Sequence, residues 1–212
     1  PKTLRSDILI IGGGPAGMAA AISAKRSNSK LDVVLIEKNE IMGRKLRATG
    51  NGRCNITNVN AEGFSEVTSF LSSLGIVTKT NDNGFLYPVS ESAADVSELL
   101  ELRLKQLGVK VYTGVTAMEV SYASDKTEFV TSVSMGGASS QGRLANALKC
   151  TVYSSALVIA AGGKSAPVYG STGEGYRWLR GLGHTVTRLV PSLAPIECGG
   201  ADLSKLSGTR VR

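Results

Sequence analysis

The chain has 212 residues, 42% of them hydrophobic, which is enough for one full core and the start of a second domain. Its net charge of +7 comes from scattered basic residues and its aromatics make up only 5%, so it has neither a basic stripe nor a stacking platform and the expectation is no nucleic-acid partner. No apolar run approaches the ~20 residues of a membrane span, the first residues lack the apolar block of a secretory signal, and three widely spaced cysteines with one histidine make neither a disulfide framework nor a metal site; no membrane partner and a cytoplasmic location are expected.

Asp7–Ile11 is an almost wholly apolar run, the pattern of a strand buried on both faces of a parallel sheet. Glycines follow at once, then Ala16–Ser27, rich in strong helix formers, with Pro15 suited to a first helical turn. Asp32–Glu37 reads as a second buried strand and completes a βαβ unit. Lys38–Asn58 is a long, polar, glycine-broken segment of the kind that usually carries function. Helices are predicted near Ser65–Leu74 and Ser92–Leu107, with Gly108 ending the second and Val109–Tyr112 following as a third parallel strand. Val115–Tyr122, Glu128–Ser134 and Leu148–Tyr153 read as an antiparallel meander. Ala156–Ala161 is again unbroken and apolar and is expected to rejoin the parallel sheet. Gly173–Leu182 predicts a helix, Thr185–Val190 a strand, and Pro191 and Pro195 a boundary. The fold class is therefore α/β: a Rossmann-like doubly wound parallel sheet with an inserted antiparallel β-meander at about 115–153. Residues 1–190 form the dinucleotide-binding domain, and 191–212 begin a second, substrate-side domain that is cut short.

Gly12, Gly14 and Gly17 give G-x-G-x-x-G directly after one predicted strand and at the opening of a predicted helix. Glu37 closes the second strand 20 residues past Gly17, where a carboxylate can accept hydrogen bonds from a ribose hydroxyl pair. Gly12 permits the sharp turn, Gly14 lets the backbone approach a pyrophosphate, and Gly17 lets the helix lie close to the strand, with Gly13, Pro15 and Ala16 completing the loop. The helix N-terminus then offers free N–H groups to the phosphates. A carboxylate at 37 repels the 2′-phosphate of NADP, leaving NAD and FAD. The long irregular segment after the second strand departs from the short βαβ steps of nicotinamide dehydrogenases. Cys54 lacks a C-x-x-C partner and reads as a packed thiol more than a redox one. His184 reads as a local helix-end hydrogen bonder, which leaves the catalytic residues unassigned.

Three motifs carry a family resemblance: Gly12-Gly13-Gly14-Pro15-Ala16-Gly17; Gly43-Arg44-Lys45 leading into Thr49-Gly50-Asn51-Gly52-Arg53-Cys54-Asn55; and Ala160-Ala161-Gly162-Gly163-Lys164-Ser165-Ala166-Pro167 followed by Gly170-Ser171-Thr172-Gly173-Glu174-Gly175-Tyr176. In these the chain resembles the BaiN/YhiN-like family of FAD-dependent oxidoreductases, within the glutathione-reductase-type two-dinucleotide-binding flavoproteins. The resemblance implies an enzyme that binds FAD, takes hydride from NAD(P)H and passes it to a small-molecule substrate. It implies that Glu37, with Lys38 beside it, holds the adenosine ribose, that Val115 meets the adenine through its backbone, and that Arg44 and Lys45 lie beside the pyrophosphate or ribityl chain. Gly50, Gly52, Arg53, Cys54 and Asn55 would run near the isoalloxazine, and Ala161, Gly162 and Gly163 would let the backbone approach the cofactor. Alternatives from other classes are a non-catalytic adenine-nucleotide-binding module and an NAD-only dehydrogenase. Family members continue past the Pro191–Pro195 region into a substrate domain and return to the flavin domain with a last strand. Without that strand, Ala156–Ala161 is expected to be an edge, open to dimerisation.

Overall fold

A computed structural model describes residues 2–135 and 148–191. Strand β1 (Lys2–Ile11) runs into helix α1 (Pro15–Ser27) and strand β2 (Val33–Ile36), as the apolar runs predict. A short helix α2 (Arg44–Ala48) and a two-residue strand β3 (Thr57–Asn58) occupy the segment read as an irregular loop. Helix α3 (Phe64–Ser73), strands β4 (Thr78–Thr80) and β5 (Phe85–Pro88), helix α4 (Ala93–Gln106) and strand β6 (Lys110–Tyr112) follow. Then come the meander strands β7 (Val115–Tyr122) and β8 (Phe129–Met135), strand β9 (Leu148–Ile159) and helix α5 (Glu174–Gly181).

One six-stranded sheet, in the order β6-β2-β1-β9-β8-β7, joins the parallel and antiparallel parts. β1 pairs parallel with β2 (Ile10 beside Leu35) and with β9 (Ile10 beside Val158). The last four residues of β1, Ile8–Ile11, are all apolar because both faces of the sheet are covered there. Ile10 packs with Met18, Ala21 and Ile22 of α1 and with Val96, Leu100 and Leu104 of α4, whereas Leu9 and Ile11 pack with Val115, Val133, Val152 and Trp178. Each such side chain contributes ~1.5–3 kcal/mol on burial. The helices owe their docking to the same spacing: α4 buries residues 96, 100 and 104 and is capped by Ser92, whose hydroxyl accepts from the Asp95 N–H at 3.2 Å.

The two strands expected at Leu148–Tyr153 and Ala156–Ala161 are one strand, β9. Its first part pairs antiparallel with β8, from Leu148 beside Met135 to Ser154 beside Phe129, and Cys150–Ile159 pairs parallel with β1. The polar Ser154-Ser155 step imitates a break, yet Ser154 lies inside the sheet between Ser6 and Phe129. β8 flanks β9 as far as Ser154, and the part of the expected edge that lies in β9, Ala156–Ile159, has no strand on its far side among the described residues. Residues 185–190 form no strand, since none of the described strands pairs with them. A small antiparallel sheet, β3-β5-β4, was not expected, because its strands are two to four residues long and two of them, β3 and β4, carry Thr, Asn and Lys in place of alternating apolar residues. Beyond Pro191 the expected second domain lies outside the described residues.

Candidate functional site

At the carboxyl ends of β1, β2 and β9 the chain encloses a cleft of ≈ 510 Å³. Its floor is the turn between β1 and α1. Gly12 stands at φ +114°, and its N–H donates to the Ile36 carbonyl at 2.8 Å; a Cβ there would lie 2.4 Å from the Ala160 carbonyl oxygen. At Gly17 a Cβ would lie 1.9 Å from the Gly12 oxygen, so this glycine sets how closely α1 approaches the sheet. At Gly14 a Cβ would meet nothing within 4 Å. The three glycines thus divide into two that the fold needs and one that faces open cleft. Helix α1 has no side-chain cap, no acidic residue in its first turn and Pro15 at its start, which leaves its first N–H groups to an outside acceptor. Gly14, Pro15 and Ala16 all line the cleft.

Glu37 stands at the end of β2 and is buried. One carboxylate oxygen accepts from the Gly13 N–H at 2.7 Å, and the other accepts from the Asn39 N–H at 2.8 Å and from the Asn39 side-chain amide. An ionised carboxylate has about four acceptor positions, so capacity remains toward the cleft, which Glu37 lines. Lys38, Arg44, Lys45, Val115, Ala161 and Gly162 line it as well. Two of the three cations are already engaged. Arg44 donates to Asn39 Oδ1 at 2.7 Å and to the Val168 carbonyl at 3.1 Å, and Lys38 donates to Glu174 at 3.0 Å and Thr172 at 3.2 Å. Lys45, half-buried, has no ion pair among the described residues.

Gly13 and Gly17 lie beneath the turn and do not line the cleft, and neither do Gly50, Gly52, Arg53, Cys54 and Asn55, which form a separate loop against the small sheet. Gly50, Asn51, Gly52 and Cys54 all have positive φ, winding the backbone left-handed. Cys54 is 0% exposed and packs in the core with Met18 and Met42, anchoring the loop from beneath, while the Arg53 guanidinium lies 5.2 Å from the centre of the Tyr87 ring. Burial pushes the Cys54 thiol above its ordinary range, against a hydrogen bond with Thr49. This is the environment of a packed thiol. Gly163 is also absent from the lining; a Cβ on it would lie 3.2 Å from the Tyr176 hydroxyl. His184 extends the end of α5 through its backbone, its N–H donating to the Leu179 carbonyl at 2.9 Å.

The wall facing Glu37 was largely missed. Tyr169, Ser171, Glu174, Tyr176 and Trp178 line it, although the Gly170-Ser171-Thr172-Gly173-Glu174-Gly175 run, three glycines opening a helix, marks the place. Trp178 is seated by its indole N–H, which donates at 3.3 Å to the carbonyl of Met118, the residue that the β7–β8 register skips. Glu174 opens α5. Burial raises its pKa, but the Thr172 hydroxyl, its own N–H and the Lys38 ammonium outweigh this and hold the carboxyl below its ordinary value. Among the described residues no group of three or more His, Cys, Asp or Glu side chains is placed to hold a metal, and no helix is long and apolar enough to cross a membrane.

The family model for the HI0933-like protein Rossmann domain matches residues 6–68 and 63–211. The chain belongs to this family. The part of the family that it matches is the Rossmann domain. Curated relatives include a 3-dehydro-bile acid delta(4,6)-reductase of Clostridium scindens, 34% identical over 95% of this chain and 50% of the relative. A ribosomal RNA dihydrouridine synthase of Escherichia coli is 28% identical over 90% of this chain and 48% of that protein. The chain spans about half the length of these curated relatives. Among solved structures, the FrdA chain of E. coli quinol fumarate reductase superposes with a TM-score of 0.57 at 14% identity, over 77% of this chain and 33% of that one, which shows the shared fold.

Proposed function

We propose that this HI0933-like domain holds FAD in the cleft, with the ADP half on the Gly12–Gly17 turn, within an oxidoreductase that reduces a small molecule at the expense of NADH or NADPH. One observation carries the reading: Gly14 faces the open cleft beside an uncapped helix N-terminus, with a buried carboxylate on the adjoining strand. A diphosphate fits the first two features and a ribose hydroxyl pair the third. Of the lining cations, Lys45 is the one left to face the diphosphate, because Lys38 and Arg44 are spent on the opposite wall. FAD, when bound, supplies the hydride chemistry at its isoalloxazine N5, and the protein supplies position and electrostatics. Among the described residues Cys54 and Cys150 are free thiols, which suits a reducing compartment and supports the cytoplasm as its location.

The substrate class follows from the chemistry that two relatives' names share. One name describes removal of double bonds from a 3-dehydro bile acid and the other from uridine, and in each a C=C bond is conjugated to a carbonyl. We assign the same class, an electron-poor alkene beside a carbonyl, to the polypeptide that carries this domain, with a small molecule as its bearer. Denaturing the purified protein and identifying the released ligand tests the cofactor: FAD supports the reading, whereas FMN alone, or a colourless protein retaining ADP or NADH, refutes it. NADH- or NADPH-driven loss of the enone absorbance of a cyclic enone tests the substrate class. Turnover of RNA-borne uridine with none of free enones would overturn the small-molecule assignment.

A further inference from the structure

Residues 162–173 leave the end of β9, line one wall of the cleft and return as α5. Among the described residues the segment makes little structure of its own: one 3-10 turn at Pro167–Tyr169, closed by the Tyr169 N–H to the Ala166 carbonyl and the Gly170 N–H to the Pro167 carbonyl. Four of its residues, Gly162, Ala166, Gly170 and Gly173, have positive φ. Its position is fixed from the other wall. Lys38, at the end of β2, reaches across to Glu174 at 3.0 Å and Thr172 at 3.2 Å, and Arg44 of α2 reaches the Val168 carbonyl at 3.1 Å. Gly170 presses so close to Asn39 that a Cβ there would lie 2.7 Å from its side-chain nitrogen.

We propose that Lys38 and Glu174 are a positioning pair that holds this strap against the cleft, so that Lys38 governs cofactor retention through Glu174 and not by touching the cofactor. The proposal rests on the reading that the cleft takes FAD. The ammonium spends two of its three donors on Thr172 of the strap and on Glu174 where the strap enters α5, and the Lys38 and Glu174 side chains are only 30% and 33% exposed, so their attraction is less screened than that of a surface pair. Glu174 also stands in the first turn of α5, where a carboxylate is favoured by the helix dipole and orders the turn that presents Tyr176 and Trp178 to the cleft.

A double-mutant cycle separates a clamp from a ligand. FAD dissociation is followed by flavin fluorescence for wild type, Lys38→Met, Glu174→Gln and the double variant. Hydrogen exchange over 162–173 is measured on each protein stripped of cofactor. Each single change is expected to speed dissociation about fivefold and to raise exchange in the strap, and the double variant is expected to match the singles. If Lys38→Met costs as much on the Glu174→Gln background as on wild type, Lys38 contacts the cofactor and the proposal falls. Unchanged exchange in all three variants overturns it equally, because the strap is then held by something else. Failure of the wild type to bind FAD would sink the cofactor reading alone, with the exchange measurement still deciding whether the pair holds the strap.

Discussion

The two glycines Gly17 and Gly14 share a motif but answer to different forces, and substituting each separates them. In Gly17→Ala the new methyl carbon is placed 1.9 Å from the Gly12 carbonyl oxygen and 3.3 Å from the Ala160 methyl. Contact with that oxygen needs about 3.4 Å, so α1 has to retreat by roughly 1.5 Å, lifting Met18, Ala21 and Ile22 from the sheet they pack against. The obstructing atom is backbone at the tightest point of the turn and cannot rotate away. The cost falls at the upper end of the ~1–3 kcal/mol of overpacking, about 3 kcal/mol, which for a domain of this size lowers Tm by about 6–12 °C. Gly14→Val places its side chain in open cleft, and Gly14 has φ −78° and ψ 177°, an extended conformation that valine adopts freely. Its expected Tm without cofactor lies within about 2 °C of wild type, while FAD binding is abolished. Thermal unfolding of the stripped proteins and fluorescence titration with FAD measure both effects. A Gly17→Ala protein as stable as wild type, or a Gly14→Val protein that binds FAD normally, would refute the division of roles.

Glu37→Ala is expected to weaken FAD by about 1.5–3 kcal/mol through loss of a charged acceptor for the ribose; unchanged affinity by titration would remove the ribose assignment. Because the folded-state pKa of Glu174 is depressed, its contribution to stability is full above the ordinary glutamate value of 4.5 and is lost as pH falls through the lower folded value. Wild type should therefore lose more stability than Glu174→Gln on acidification from neutral pH, and parallel pH–stability curves would contradict this. Cys54, buried and raised in pKa, should resist thiol reagents in the native protein. Native labelling should be unchanged by Cys54→Ser, and a drop of one thiol would show that the loop opens. Trp178→Phe forfeits the indole bond to the Met118 carbonyl and is expected to cost about 1 kcal/mol in chemical denaturation.

The first βαβ unit was legible because it is local: an apolar run, a glycine turn and an alanine-rich helix specify one another within a few dozen residues, and β1, α1 and β2 form as the pattern requires. What escaped the sequence depends on partners. Tyr153-Ser154-Ser155 looks like a strand end, and only the neighbours on both sides, Ser6 and Phe129, make Ser154 an interior position of β9. β3 is two residues long and exists through β5. Cys54 has the sequence surroundings of a cofactor loop, but a left-handed residue turns its side chain down into the core, which one-dimensional spacing does not reveal. The cleft's second wall went unread because Glu174 acquires its meaning from Lys38, a residue far away in the chain.

The continuity of β9 reaches into how the molecule is made. Ile11 of β1 pairs with Ile36 on one side, but its second parallel partner is Ile159, and every residue between must be synthesised first. At ribosomal rates of about 5–20 residues per second, β1 waits roughly 7–30 s with its apolar face and one ladder of hydrogen-bonding groups unmatched. The strand that ends the wait also brings the meander with it, since β8 pairs on the other side of the same β9. Closure of the nucleotide core and docking of the inserted hairpin are therefore expected to be a single late event, with the nascent chain in the custody of chaperones until it occurs.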